Sequence, residues 1–368
     1  MAGIYFHIPF CRRICAYCDF YKNADLRLME QTLAAMEREV VMRRNFLRGE
    51  AVRTIYFGGG TPSLVPTEWI ARAIELCRAR FDCSQLEEVT LEANPDDLST
   101  GYLAGLRAAG VNRLRIGIQS FDDEVLAFMN RRHTGVEAEE AVRRLRRAGI
   151  NNISIDIIFG VAGFEERLND TLRRAVALGV EHISAYHLSY EEDTPLYKLR
   201  NLAFDEEKSL EFFNILREKT AEKGFEHYEI SNWAKDGKYS KHNTAYWQNK
   251  PYLGIGAGAH SFNLKERRWN FSSLSEYING VLSGEEYSEN EILTSEDKYN
   301  DLIITALRTK WGLDINLIEP KFLKHFHAEA EKFIKENHLQ ITPEGKAILT
   351  HSGIFISDYI MRELIVGA

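Results

Sequence analysis

The sequence predicts an α/β protein, a partial (β/α)6 barrel followed by a small, mainly helical C-terminal domain. Three observations carry that prediction. Strand-like and helix-like patterns alternate through the first two thirds of the chain, the rhythm of parallel βαβ units. Each strand–helix unit occupies a few tens of residues, which suits right-handed crossovers. The strands number six, short of the eight that close a full barrel. A doubly wound open sheet is the alternative. Both architectures gather ligands at the carboxyl ends of their strands.

The pattern predicts strands over residues 4–8, 53–57, 88–92, 113–118, 152–158 and 182–188. Helical patterns cover residues 26–48, 67–80, 100–109, 138–148 and 165–178. Several strands are apolar at successive positions, as expected when helices cover both sheet faces. Cys77 shares a helical stripe with Ile70, Ile74 and Phe81, which predicts a buried core thiol. Past about Asp205 come one more helix (206–223), a strand (225–230) and an aromatic, glycine-rich region (232–262). From about Glu285 the chain is charged and helical, with a turn at Pro343-Glu344-Gly345 that suits a winged-helix-like appendage. The expected division is 1–231, 232–284 and 285–368.

Composition limits the function. The 368 residues are 45% apolar and 27% charged, ordinary for a soluble globular protein. A net charge of −8 argues against broad electrostatic capture of nucleic acid. No apolar run approaches the ~20 residues of a membrane helix, leaving only peripheral membrane contact open. The opening stretch lacks the charged-then-apolar plan of a secretory signal, and Arg12 and Arg13 would interrupt one. The expected location is the cytoplasm.

Three of the five cysteines crowd into Cys11-Arg-Arg-Ile-Cys15-Ala-Tyr-Cys18, just past the first strand. Three thiolates can hold three irons of a cubane and leave the fourth open to a small chelating molecule. A structural zinc completed by His7 is the alternative, since short Cys spacings also suit tetrahedral zinc. Gly58-Gly59-Gly60-Thr61-Pro62 follows the second strand and allows close backbone approach to a ligand. It lacks the Gly-Lys-Ser/Thr of a P-loop and the G-x-G-x-x-G of a dinucleotide fingerprint. A plain tight turn is its other reading. Glu92, Gln119 and Asp156 lie at or near strand ends, about one unit apart, so all three can face one mouth. Such groups hydrogen-bond a ribose, an amino group or a carboxylate unless they are simply solvated.

CxxxCxYC followed by GGGTP resembles the radical S-adenosylmethionine superfamily. More specifically, YFHIPFCRRICAYCDF, YFGGGTPS, LEANPDD, LRIGIQSF and HNTAYW resemble the oxygen-independent coproporphyrinogen III oxidase family over nearly the whole chain. The resemblance implies a 4Fe-4S cluster on Cys11, Cys15 and Cys18. It implies contact with S-adenosyl-L-methionine by Tyr5, Gly59, Gly60, Thr61, Glu92, Gln119, Arg131 and Asp156, with Tyr17 a weaker candidate.

Three features point to the haem chaperone branch of that family. Phe20 stands where the oxidases carry a further cysteine, only ten residues precede Cys11, and His242-Asn-Thr-Ala-Tyr-Trp247 matches the HNxxYW signature associated with haem. The branch implies haem as ligand and haem-accepting apo-enzymes as partners. His242 is then expected to ligate or touch haem iron, with Tyr246 and Trp247 offering flat apolar area. Oxidative decarboxylation of coproporphyrinogen III propionates is the enzymatic alternative. One departure is Phe-Gly-Val-Ala-Gly at 159–163, where the family has a Leu-Pro-Gly type turn. Arg143, Arg144, Arg146 and Arg147 resemble a propionate clamp, but Glu139 and Glu140 favour a solvated, ion-paired helix face. The glycine-rich stretch ending at His260 is expected to edge the site.

Overall fold

A computed structural model describes residues 1–367. Six parallel strands carry the architecture: β1 (Ala2–Ile8), β2 (Val52–Gly59), β3 (Glu88–Ala93), β4 (Arg113–Gln119), β5 (Ile153–Phe159) and β6 (His182–His187). Helices α1 (Met29–Met42), α2 (Thr67–Arg80) and α3 (Thr100–Ala108) connect the first four strands. Two helices, α4 (Asp123–Phe128) and α5 (Gly135–Arg147), join β4 to β5, and α6 (Arg167–Ala177) joins β5 to β6. The long pattern from residue 26 breaks into a 3-10 turn and a helix that stops at Met42.

Neighbouring strands follow chain order from β1 to β6 without reversal. A doubly wound sheet requires a reversal, so that alternative falls and the partial-barrel expectation stands. Past α7 (Glu206–Glu222), β7 (Glu226–Glu229) and β8 (Asn232–Ala234) pair antiparallel, and β8 extends the sheet beyond β6. After α8 (Lys241–Trp247), β9 (Tyr252–Ile255) adds in parallel to the other side of β1. From there β10 (His260–Phe262), β11 (Glu266–Asn270) and, after α9 (Leu274–Ser283), β12 (Ser288–Ile292) continue the same sheet antiparallel.

The strands alternate more strictly than their sequence suggests. Ile4, Phe6 and Ile8 of β1, Ile55 and Phe57 of β2, and Ile153, Ile155 and Ile157 of β5 belong to the apolar core shared with the helices. The intervening residues face inward and are polar: Tyr5 and His7, Thr54 and Tyr56, Glu88 and Glu92, Ser154 and Asp156. Only one face of the sheet is apolar. The interior is a hydrogen-bonded polar column, which corrects the expectation that both faces are apolar.

Cys77 is fully buried beside Ile70 and Ile74, as its stripe predicts. The arginine run of α5 pairs outward, Arg143 with Glu139 and Arg147 with Glu140. Beyond β12, α10 (Ser295–Ala306), β13 (Leu313–Asp314), α11 (Pro320–Lys335), β14 (Leu339–Ile341) and β15 (Lys346–Leu349) enclose a separate apolar cluster. Helix–strand–helix–strand–strand is a winged-helix order, with α12 (His351–Phe355) and α13 (Ser357–Leu364) completing the unit. Among the described residues no helix is long and apolar enough to cross a membrane.

Candidate functional site

The carboxyl ends of β1–β6 surround a cavity of about 450 Å³. Cys11, Cys15, Cys18, Tyr5, Tyr17, Gly59, Gly60, Thr61, Glu92, Gln119, Arg131 and Asp156 all line it. His242, with its neighbours Tyr246 and Trp247, lies elsewhere, and the glycine-rich stretch ending at His260 contributes no residue to the cavity lining.

The cysteine loop leaves β1 and is fastened from three directions. Cys11 N and Asn23 N bond across the loop to Asn23 and Pro9 carbonyls, at 3.0 and 2.6 Å. The Thr61 hydroxyl stands 3.3 Å from Cys11 Sγ, and Arg131 Nη1 stands 3.1 Å from Cys15 Sγ. Burial pushes the Cys11 thiol pKa up, against the Thr61 hydrogen bond, and Cys18 is pushed up likewise against the nearby Lys22 ammonium. Bound iron would take the place of those protons, and the flanking donors Thr61, Arg131 and Lys22 would then serve the thiolates. Among the described residues no three His, Cys, Asp or Glu side chains stand close enough to share one ion. A single zinc would need the three thiols and His7 drawn to one point, whereas a cubane would give each thiolate an iron of its own.

Gly60 is needed for packing before any ligand arrives. A Cβ there would stand 2.7 Å from the Phe10 carbonyl oxygen and 2.9 Å from that of Ile8, the chain that leads into Cys11. Its neighbour Gly59 has φ of +106°, open to glycine at little cost. Gln119 closes β4 with φ of +69° at a register shift, an uncommon backbone for a residue with a side chain. That irregularity sets Gln119 on the cavity wall.

Sequence reasoning missed several residues of the cavity. Arg115 Nε donates to Asp156 Oδ1 at 2.7 Å, and its Nη1 reaches Glu92 Oε1 at 3.3 Å. Burial opposes the charge on Arg115, but Asp156, Tyr186, Tyr56 and Glu92 together outweigh it and hold its pKa up. The Tyr56 hydroxyl donates to Glu92 Oε1 at 2.6 Å. Asn94 accepts from Arg131 Nη2 at 2.8 Å, so Arg131 bridges the Asn94 side chain and the cysteine loop. The alternation Arg113, Arg115, Gly117, Gln119 against Leu114, Ile116, Ile118 was the available signal for Arg115. His7 bonds through Nδ1 to the Tyr5 hydroxyl at 3.0 Å, while its Nε2 is buried without a partner on the cavity wall. Burial lowers its pKa to about 4, so it is neutral at physiological pH.

His242 lies at the other end of the barrel. It sits on α8, only 1% exposed, beside the first residues of β1–β3. Nδ1 bonds Thr54 Oγ1 at 2.7 Å and Nε2 bonds Tyr246 OH at 2.7 Å. Glu88 accepts from the His242 backbone N–H at 3.1 Å, and the ring stacks on Tyr56 with centroids 5.0 Å apart. Burial pushes its pKa down to about 3. Both ring nitrogens are committed, so this arrangement offers no lone pair to a haem iron. The aromatic, glycine-rich region read from the sequence holds a short helix here, capped by Ser240, and His242 sits on it.

Residues 5–175 match the Radical SAM superfamily. Over 98% of its length the chain is 33% identical to the heme chaperone HemW of Bacillus subtilis, covering 98% of that protein. It is 36% identical to the bovine mitochondrial radical S-adenosyl methionine domain-containing protein 1, over 96% of this chain and 83% of the relative. The crystal structure of coproporphyrinogen III oxidase (HemN) from Escherichia coli superposes with a TM-score of 0.83, covering 100% of this chain and 90% of that one at 22% identity, a likeness of fold. By full-length similarity the chain belongs to the radical SAM superfamily and, within it, to the HemW family.

Proposed function

We propose that this protein is a haem chaperone of the radical SAM type, which binds a 4Fe-4S cluster, S-adenosylmethionine and haem, and hands haem to haem-dependent enzymes in the cytoplasm. The observation that carries the proposal is the grouping of three thiols with Gly59, Gly60, Glu92, Gln119 and Asp156 around one cavity. Cys11, Cys15 and Cys18 would hold the cluster and leave one iron open. The bound cluster would supply one-electron chemistry toward the sulfonium. The protein's part is to bind and orient: Gln119 and Asp156 offer polar groups to the nucleoside, and Thr61 and Arg131 donate toward the thiolates.

For haem, His260 offers an imidazole outside the cavity lining: it is exposed, and no hydrogen bond to its ring occurs among the described residues. Trp269 lies beside it with ring centroids 6.3 Å apart, a flat surface of the kind a macrocycle packs against. Phe20 is 68% exposed on the cluster loop at the cavity mouth, where the oxidases have a cysteine.

One anaerobically reconstituted sample tests the proposal. Broad visible absorption from iron–sulfur, saturable S-adenosylmethionine binding and a Soret band on haem addition are expected, without decarboxylation of coproporphyrinogen III. Turnover of that porphyrinogen would favour the oxidase instead, and a colourless protein holding zinc would overturn both.

A further inference from the structure

The cavity floor holds a cation that cluster and cofactor binding leave without a role. Arg115 projects inward from the middle of β4 and touches two carboxylates at once, Asp156 at 2.7 Å through Nε and Glu92 at 3.3 Å through Nη1. Its Nη2 donates to Tyr186 OH at 2.5 Å. A planar guanidinium holds such partners in fixed directions, which a lysine ammonium cannot do.

The two carboxylates are left unequal. Glu92 is fully engaged, its Oε1 by Tyr56 and Arg115 and its Oε2 by the Gly59 N–H at 3.2 Å. Asp156 spends Oδ1 on Arg115. Its Oδ2 has no hydrogen bond among the described residues and is not sealed in the interior, and Asp156 lines the cavity. Removing the guanidinium would leave two part-buried carboxylates facing one floor, where burial and like charge favour protonation and free rotation.

We infer that Arg115 is a positioning residue: it pins Glu92 into the cavity wall and turns the free oxygen of Asp156 toward the ligand, making Asp156 the acceptor for a nucleoside cis-diol. Selection for the ribose hydroxyls of S-adenosylmethionine then depends on Arg115, although Arg115 does not itself take the diol. The inference rests on the cofactor binding proposed above.

The test uses the full-length, cluster-reconstituted protein and two ligands in calorimetry, S-adenosylmethionine and the analogue whose ribose lacks both hydroxyls. A site built to bond a hydroxyl rejects the analogue without it, so wild type should prefer S-adenosylmethionine by about 100-fold or more. Arg115→Met should weaken S-adenosylmethionine by about tenfold or more and shrink that preference to about threefold, with the analogue's own affinity little changed. Arg115→Lys keeps the charge without the fork, and its preference should fall between the two. It also carries the test if Arg115→Met loses its cluster. Equal weakening of both ligands would show a merely structural role and overturn the inference, as would an undiminished preference in both variants. Wild-type binding of S-adenosylmethionine without any preference for the diol would overturn it while sparing the cofactor proposal. Wild type binding neither ligand would overturn both.

Discussion

The two ends of the barrel interior are both polar, yet they differ in which polar groups are left unused. At the closed end His242 and His182 each bond through both ring nitrogens, His182 to Ser154 Oγ and Tyr228 OH at 2.7 Å each. Glu88 accepts from two backbone N–H groups of α8, and Arg308 places Nε and Nη2 on Glu229 at 3.1 and 2.9 Å. At the open end the unpartnered buried groups are His7 Nε2 and Arg131 Nε, both able to serve a ligand, whereas towards the closed end they are the hydroxyls of Thr90 and of Thr244 on α8. Three thiols and one oxygen of Asp156 are left for a ligand there. A satisfied buried network specifies the fold, whereas an unsatisfied one in a cavity marks where something binds. The comparison assigns chemistry to the open end and support to the closed end. The two ends also touch, since the ring of His242 stacks on Tyr56, whose hydroxyl holds Glu92.

The largest expected effect separates two cysteines. Cys15→Ala should abolish stable cluster binding, with iron and sulfide falling to near background, because in the proposed cluster each thiolate would hold its own iron. Cys77→Ala should retain full iron and cost about 1–2 kcal/mol in urea melts, the ordinary cost of a small core truncation. Full iron in Cys15→Ala would break the assignment of the open end.

A second expectation concerns the closed end. His242→Ala removes a buried ring and leaves Thr54 and Tyr246 hydroxyls without their partner. The expected loss is about 2–4 kcal/mol in denaturant melts, with iron content unchanged. A loss under half a kcal/mol would remove the structural role given to α8.

Smaller still is the effect of acid. An unfolded histidine titrates near 6.5, while His242 in the fold is held down to about 3 by burial. Between those values the unfolded chain binds a proton that the folded chain does not, so stability falls as pH falls from about 6.5. Each such histidine contributes a limb of about 1.4 kcal/mol per pH unit. His242→Gln should make that limb shallower by the same amount in melts between pH 4 and 6.

Much of this was readable from the chain. The six strands fall within a few residues of their expected positions, since β-branched runs punctuated by glycine are local signals. The cysteine loop, the glycine turn after β2, Glu92 and Gln119 were readable because they sit at or just past strand ends, where parallel α/β sheets present ligands. Tyr5, Tyr17 and Arg131 were reached only through the family resemblance. What escaped depended on partners distant in sequence. Arg115 in mid-strand acquires meaning only when Glu92 and Asp156 arrive from β3 and β5. His242 looked available because a histidine beside aromatic residues suits a haem. Its real partner, Thr54, lies 188 positions away. The strands read as apolar on both faces because their inward residues include tyrosine and glycine, whose hydrogen-bonding role shows only after the sheet curls.

A haem titration of anaerobically reconstituted His242→Gln beside wild type tests the central claim most directly, with iron and sulfide assayed on the same preparations. Glutamine can keep a hydrogen bond to Thr54 or Tyr246 but is not an axial haem ligand. If the closed end is support, the variant binds haem with the wild-type Soret band and affinity. Loss of the Soret band with the cluster intact would place haem at His242 and contradict the division of labour between the two ends.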